Sequence, residues 1–269
     1  MGGSALASLP RRLAACLQTR QPADKLACVH ALQADWLGGR IAPEVDAERT
    51  PIDQPGQPEK LELVPPQKVP RRRTDTLPGR AALIHALAHI EFNAINLALD
   101  AAHRFAGMPL AYYADWLRVA DEEALHFYLL NTHLATWGHV YGDFPAHNGL
   151  WDMALKTAHD PLVRMALVPR VLEARGLDAT PLIADKLKAA QDTRMVEILD
   201  IIERDEIGHV AIGSHWFGWL CAVRGLDSEA TFRQLLVDYD APPLRQPFNL
   251  AARRAAGFSE PELDWLRRL

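Results

Sequence analysis

Apolar residues recur at three- and four-residue steps along most of this chain, the spacing of helices that bury one face. Within residues 4–38, LASLPRRLAACLQT and ADKLACVHALQADWLGG read as two helices, and Gly38-Gly39 stops the second. The pattern then lapses over 41–79. Eight prolines fall there, VPPQKVP among them, so neither a regular helix nor a central strand is expected. The segment reads as an extended linker wrapped on the next domain. From Pro78-Gly79 the periodicity returns. AALIHALAHIEFNAINLALDAAHRFA predicts a long helix over about 80–105, and YYADWLRVADEEALHFYLLNTHLATW, opened by Pro109, predicts a second to about 137. The turn formers of GHVYGDFPAHNG come next. Beyond them the spacing predicts a short helix near 150–158, a third long one over about 161–175 ending at Gly176, a small one near 180–190 and a fourth long one over about 192–223. Weaker helical stretches lie near 227–238 and 259–268. No strand pattern competes. The expectation is an all-α chain: an N-terminal helical pair (1–40), a proline-rich linker packed on the core (41–79), a four-helix bundle (80–226) and a helical tail (227–269).

The long helices share one irregularity. Each places a carboxylate inside its apolar stripe: Glu91 with Ile84, Leu87, Ala94 and Ala98; Glu123 with Trp116, Ala120, Phe127 and Leu130; Glu173 with Leu162, Met165 and Pro169; Glu206 with Leu199, Ile202, Gly213 and Trp216. The second and fourth add a histidine three residues on, His126 and His209, on the same helical face. Burying such groups without a partner costs several kcal/mol. The spacing also repeats. Glu91 precedes Glu123 by 32 residues and Glu173 precedes Glu206 by 33. A glutamate, then Glu-x-x-His on an antiparallel partner, given twice, describes two helical hairpins related by a pseudo-twofold axis.

That donor set is the one used by dinuclear iron or manganese carboxylate bundles: one glutamate from each of two helices and Glu-x-x-His from each of the others. Four carboxylates balance two divalent ions, and imidazole suits iron, manganese or zinc. The alternative, surface charges or buried ion pairs with Arg164, Arg170, Arg175 or Arg204, accounts for each residue singly but not for the repeated spacing.

Composition narrows the classes. A net charge of −5 and a pI near 6.1 argue against a surface that coats nucleic acid. The start MGGSALASLPRR lacks the apolar core of a signal peptide, and no uncharged apolar run approaches the ~18 residues of a membrane span. Cys16, Cys28 and Cys221 are odd in number and lack a CxxC, which predicts reduced thiols and a cytoplasmic protein with no membrane partner.

HIEFNAINLALD, DEEALHF, VLEARGLD and ERDEIGHVAIG resemble the ligand helices of the ferritin-like superfamily. PGRAALIHALAHIEFNAINLALD and RGLDATPLIADKLKAAQDTRMVEILDIIERDEIGHVAIGSHW are similar to a bacterial ferritin-like family known only as a domain of unknown function, over most of the chain. More distantly, the core resembles the bacterial di-iron hydroxylase that modifies tRNA. The resemblance implies a ferritin-like four-helix bundle with metal ligation by Glu91, Glu123, His126, Glu173, Glu206 and His209. It carries over no substrate.

The expected activity is O₂-dependent oxidation or hydroxylation of an organic small molecule or modified nucleoside. It would use two iron ions (manganese or a mixed pair being admitted), O₂ as co-substrate and a reductase or ferredoxin-like electron donor. The alternatives are a ferroxidase or peroxide-detoxifying protein and a metal-free helical interaction module. A homodimer is compatible with bundles of this kind. Glu203 and Asp205 are candidates for a further ligand or for orienting one, and Asp200 for accepting a hydrogen bond from a ligand histidine. Lys68, Arg71, Arg72 and Arg73 form a basic cluster able to bind phosphate or RNA, or simply to be solvated. His85 and His89 are expected to pack and hydrogen-bond away from the site.

Overall fold

Helices form wherever the apolar stripes run. The computed structural model describes residues 6–69 and 74–269. It consists of helices α1 (Leu9–Gln18), α2 (Pro22–Leu37), α3 (Leu77–Arg104), α4 (Leu110–Thr136), α5 (Gly149–Lys156), α6 (Pro161–Leu167), α7 (Ala174–Ala189), α8 (Thr193–Val223), α9 (Ser228–Asp238), α10 (Leu250–Ala255) and α11 (Glu260–Arg267). Strand content is almost nil: β1 (Ala7–Ser8) and β2 (Ile41–Ala42) pair in parallel over two residues each. The all-α expectation therefore holds. The chain divides into two compact units, Met1–Trp151 and Asp152–Leu269.

In the first unit α3 and α4 pack along each other, with α1 on α3 and α2 on α4. Thr76 caps α3 by accepting from Gly79 N, and Pro109 opens α4. By length and mean hydropathy (1.3) α3 is able to cross a bilayer, but 78% of that stretch is buried in the fold. The proline-rich segment is pinned through its carbonyls: His103 Nε2 reaches Thr50 O at 3.0 Å, Arg104 donates to Ile52 O at 2.8 Å and Trp151 to Asp53 O at 2.8 Å. Gly56 lies where a Cβ would meet Gln18 O and Thr19 O at 2.3 Å, so only glycine lets the extended segment touch the end of α1.

The cysteine expectation fails. Cys16 and Cys28 form a disulfide that ties α1 to α2, and only Cys221 is free. The side-by-side hairpin brings the two Cα atoms to 5.5 Å, within bridging range despite the absence of a short motif. The thiol argument for a reducing compartment falls with it. Closing a loop of 12 residues constrains the unfolded chain, so Cys28→Ser is expected to cost about 3 kcal/mol in denaturant unfolding. An unshifted midpoint would contradict this.

The same hairpin buries a lysine. Lys25 Nζ donates to Cys16 O (3.3 Å), Leu17 O (2.9 Å) and Asn96 Oδ1 (2.6 Å), with the Phe92 ring 5.3 Å away. Burial lowers its pKa from 10.5 to about 7. The folded chain then releases this proton at lower pH than the unfolded chain, so the group adds stability as pH rises from about 7 to 10.5. Lys25→Met is expected to flatten that rise by a few kcal/mol, at roughly 1.4 kcal/mol per pKa unit. An identical pH–stability profile for the variant would refute the assignment.

In the second unit the rod from α6 into α7 is interrupted, but not at Gly176. Val168–Glu173 is a π-helical segment, after which α7 runs unbroken through Gly176 and Pro181. Pro169 supplies the reason: it has no N–H to give, and the wider turn relieves its clash with the preceding carbonyl. The predicted separate helix near 180–190 is thus the second half of α7. Asp192 caps α8 by accepting from Met195 N, and the short turn 190–192 makes α7 and α8 antiparallel neighbours. α10, six residues capped by Asn249, is an addition to the predicted elements.

Candidate metal centre

In the first unit, α3 contributes Glu91 and α4 contributes Glu123 and His126. All three are buried, 4%, 0% and 0% exposed. One donor atom from each lies within 4.8 Å of the others. His126 Nδ1 is 3.2 Å from Glu123 Oε2 and 3.5 Å from Glu91 Oε2. The three-residue step from Glu123 to His126 sets both on the α4 face that α3 covers. Burial, and next the Glu123 carboxylate, push the Glu91 carboxyl well above its usual value. Burial opposes charge on His126, yet its contacts with Glu123 and Glu91 outweigh it and hold the imidazole protonated well above its ordinary range. Two carboxylates around one shared proton-binding nitrogen, closed from water, fit a cation better than they fit a polypeptide core.

In the second unit α8 presents Glu206 and His209, 9% and 0% exposed, with His209 Nδ1 3.8 Å from Glu206 Oε2. Glu173 ends the π-helical segment that packs on α8, and it is half-buried. The register between them is set by one contact. A Cβ on Gly213 would lie 2.3 Å from Pro169 Cβ and Cγ, so the α8 backbone sits directly on the proline ring. Glu173 is one turn beyond Pro169 and His209 one turn before Gly213. In antiparallel elements those two steps run the same way, which brings Glu173 level with His209.

The other candidates lie away from these donors or pair elsewhere. Glu203 is half-buried and accepts from Asn249 Nδ2 at 3.4 Å, Asp205 pairs with Arg204 at 2.9 Å, and Asp200 is exposed. Lys68 is exposed, and Arg71, Arg72 and Arg73 lie outside the described residues. Arg170 pairs with Glu262, and Arg164 donates to Thr157 and Ala154 O. His85 and His89 hydrogen-bond as expected. His85 Nε2 accepts from Gly142 N, and His89 bridges Tyr141 Oη (2.8 Å) and His147 O (2.9 Å). Lys25 escaped the sequence reading, although its spacing to Val29 and Leu32 puts a charge in an apolar stripe, the same signal that marked the glutamates.

A family profile described as "Protein of unknown function (DUF455)" matches residues 18–264. An "Uncharacterized protein" of Haemophilus influenzae is 56% identical over 216 residues, covering 78% of this chain and 75% of that protein. No solved structure matches the chain.

Proposed function

We propose that this chain, which belongs to the family described as "Protein of unknown function (DUF455)", is a dinuclear metal–carboxylate protein of the ferritin-like kind that uses O₂ to oxidise an organic substrate. The observation that carries the reading is the buried set Glu91, Glu123 and His126, whose donor atoms converge within 4.8 Å where an apolar core is expected. The repeat of the same residue types in the second unit supports it. In the first unit Glu91, Glu123 and His126 would serve as ligands, and in the second unit Glu173, Glu206 and His209 would.

Two iron ions, or manganese in the same donors, would supply Lewis acidity and one-electron chemistry with O₂ once bound. The chain's own contribution is to bind and to exclude water. The carboxylates would neutralise the ions. His126 would have to lose a proton before its imidazole could bind one, so uptake would release protons and strengthen with rising pH. Ile84, Phe92, Ala120 and Phe127, all buried along the α3–α4 contact, keep bulk water out of the first unit's donors.

The test is anaerobic loading with Fe(II), then O₂ and a reductant in the presence of candidate substrates. O₂ consumption coupled to a new organic product is the expected result. Fe(II) or H₂O₂ turnover without organic product would replace this reading with a ferroxidase or peroxidase one. Failure to take up metal would overturn both.

A further inference from the structure

The proposed function makes no use of the C-terminal tail, yet two deeply buried cations of the second unit link that tail to the segment ending in Glu173. Arg170, three residues before Glu173, is 3% exposed. It donates to Glu262 Oε1 at 2.6 Å, and its guanidinium lies 4.4 to 4.9 Å from the ring centres of Phe217, Phe232 and Phe258. Glu262 cannot swing away, because its Oε2 accepts from Ser259 N as half of the capping box that starts α11.

On the other side of Glu173, Arg253 of α10 is 1% exposed. It donates to the carbonyl of Ala174, the next residue, at 3.2 Å, and forms a bidentate pair with Asp178 at 3.0 and 2.6 Å. Asn249 adds a bond from its backbone N–H to Asp178 Oδ1 and one from Nδ2 to Leu177 O. Phe258 joins the two anchors: its ring centre is 4.7 Å from the Arg170 guanidinium and 5.1 Å from that of Arg253. An apolar cluster that includes Leu177, Val210, Ala256, Phe258 and Leu263 buries the seam between tail, α7 and α8.

We infer that the tail is a clamp which positions Glu173: Glu262 fixes the chain before it through Arg170, and Arg253 fixes the chain after it through Ala174 and Asp178. A π-helical turn has poorer hydrogen-bond geometry than an α-helix and needs outside support to keep one conformation. Buried aromatic-stacked arginines supply that support in a form that a lysine's single point charge does not. That Glu173 is a metal ligand rests on the function proposed above. Its clamping does not.

Two variants test the inference without leaving a lone buried charge. Arg253→Lys keeps the charge and loses the fork. The double variant Arg170→Gln with Glu262→Gln removes both partners. In metal-free full-length protein, amide hydrogen exchange over residues 168–175 is expected to quicken at least ~10-fold in each variant, while exchange at 88–95 and 120–127 stays at the wild-type rate. After Mn(II) loading, release into a chelator is expected to quicken by ~10- to 100-fold, the range for partners that orient a ligand. A uniform rise in exchange with unchanged Mn(II) release means a merely structural tail and overturns the clamp. If wild-type protein holds no Mn(II), the proposed function fails. The exchange result then decides alone: local quickening sustains the clamp on Glu173, and its absence overturns it.

Discussion

Replacing Glu91 by Gln is expected to make the metal-free protein more stable and to strip it of metal. The two outcomes have one cause. Glu91, Glu123 and His126 are enclosed with 0 to 4% exposure, so the ionised form of Glu91 beside the Glu123 carboxylate is costly. The folded carboxyl of Glu91 titrates well above 4.5, raised by burial and then by Glu123. A raised acid pKa means that the folded chain holds a proton the unfolded chain has released. Stability is therefore lost as pH climbs above 4.5 toward the folded value. His126 adds in the same sense, its contribution being full below 6.5 and lost as pH rises through its elevated folded value. Glutamine keeps the shape and removes the ionisation. The gain is about 1–3 kcal/mol near neutral pH, the order of the penalty for a buried group that is poorly satisfied, and the fall in stability from about pH 5 to 8 should flatten. Metal affinity should drop by more than ~100-fold, beyond the loss seen when a mere orienting partner is removed. Thermal melts of metal-free and Mn(II)-loaded protein read both effects. A less stable metal-free variant that still binds Mn(II) normally would show that Glu91 is a structural residue.

Gly213→Ala is expected to destabilise the protein although alanine is the better helix former. Propensity alone predicts a gain of up to ~1 kcal/mol. Against it stands the added Cβ, 2.3 Å from a proline ring that cannot rotate aside. Forcing α8 off Pro169 should cost about 1–3 kcal/mol net and shift Glu173 away from the level of His209, so Mn(II) release should quicken as well. Gly218→Ala on the same helix is the control: its Cβ would meet nothing within 4 Å, so it should be neutral or stabilising. Equal behaviour of the two variants would dissolve the register argument.

The same residues mark how far the amino-acid pattern alone discloses the molecule. Helices α3, α4 and α8 were legible because each repeats its apolar stripe over many turns and stops shortly before a glycine. The burial of Glu91, Glu123, His126, Glu206 and His209 was legible because each interrupts a stripe, whereas Glu173 is half-buried. The π-helical turn was not. Its signals, Pro169 and Gly176, are those of an ordinary helix end, and only packing against α8 and the tail keeps the rod continuous. The Cys16–Cys28 bridge depends on two helices lying side by side, which spacing along the chain does not encode. α10 was missed because LAARRA is too short to show a period. Arg170 entered the sequence reading only as an ion-pair partner for the glutamates and Arg253 not at all, since nothing local announces the aromatic rings and carboxylates that enclose them.

The most direct test is the metal content of protein purified without chelator, measured by elemental analysis beside Glu206→Ala. The account predicts about two iron or manganese ions per chain, lost in the variant. No metal in the wild-type protein, even after anaerobic reconstitution with Fe(II), would contradict it.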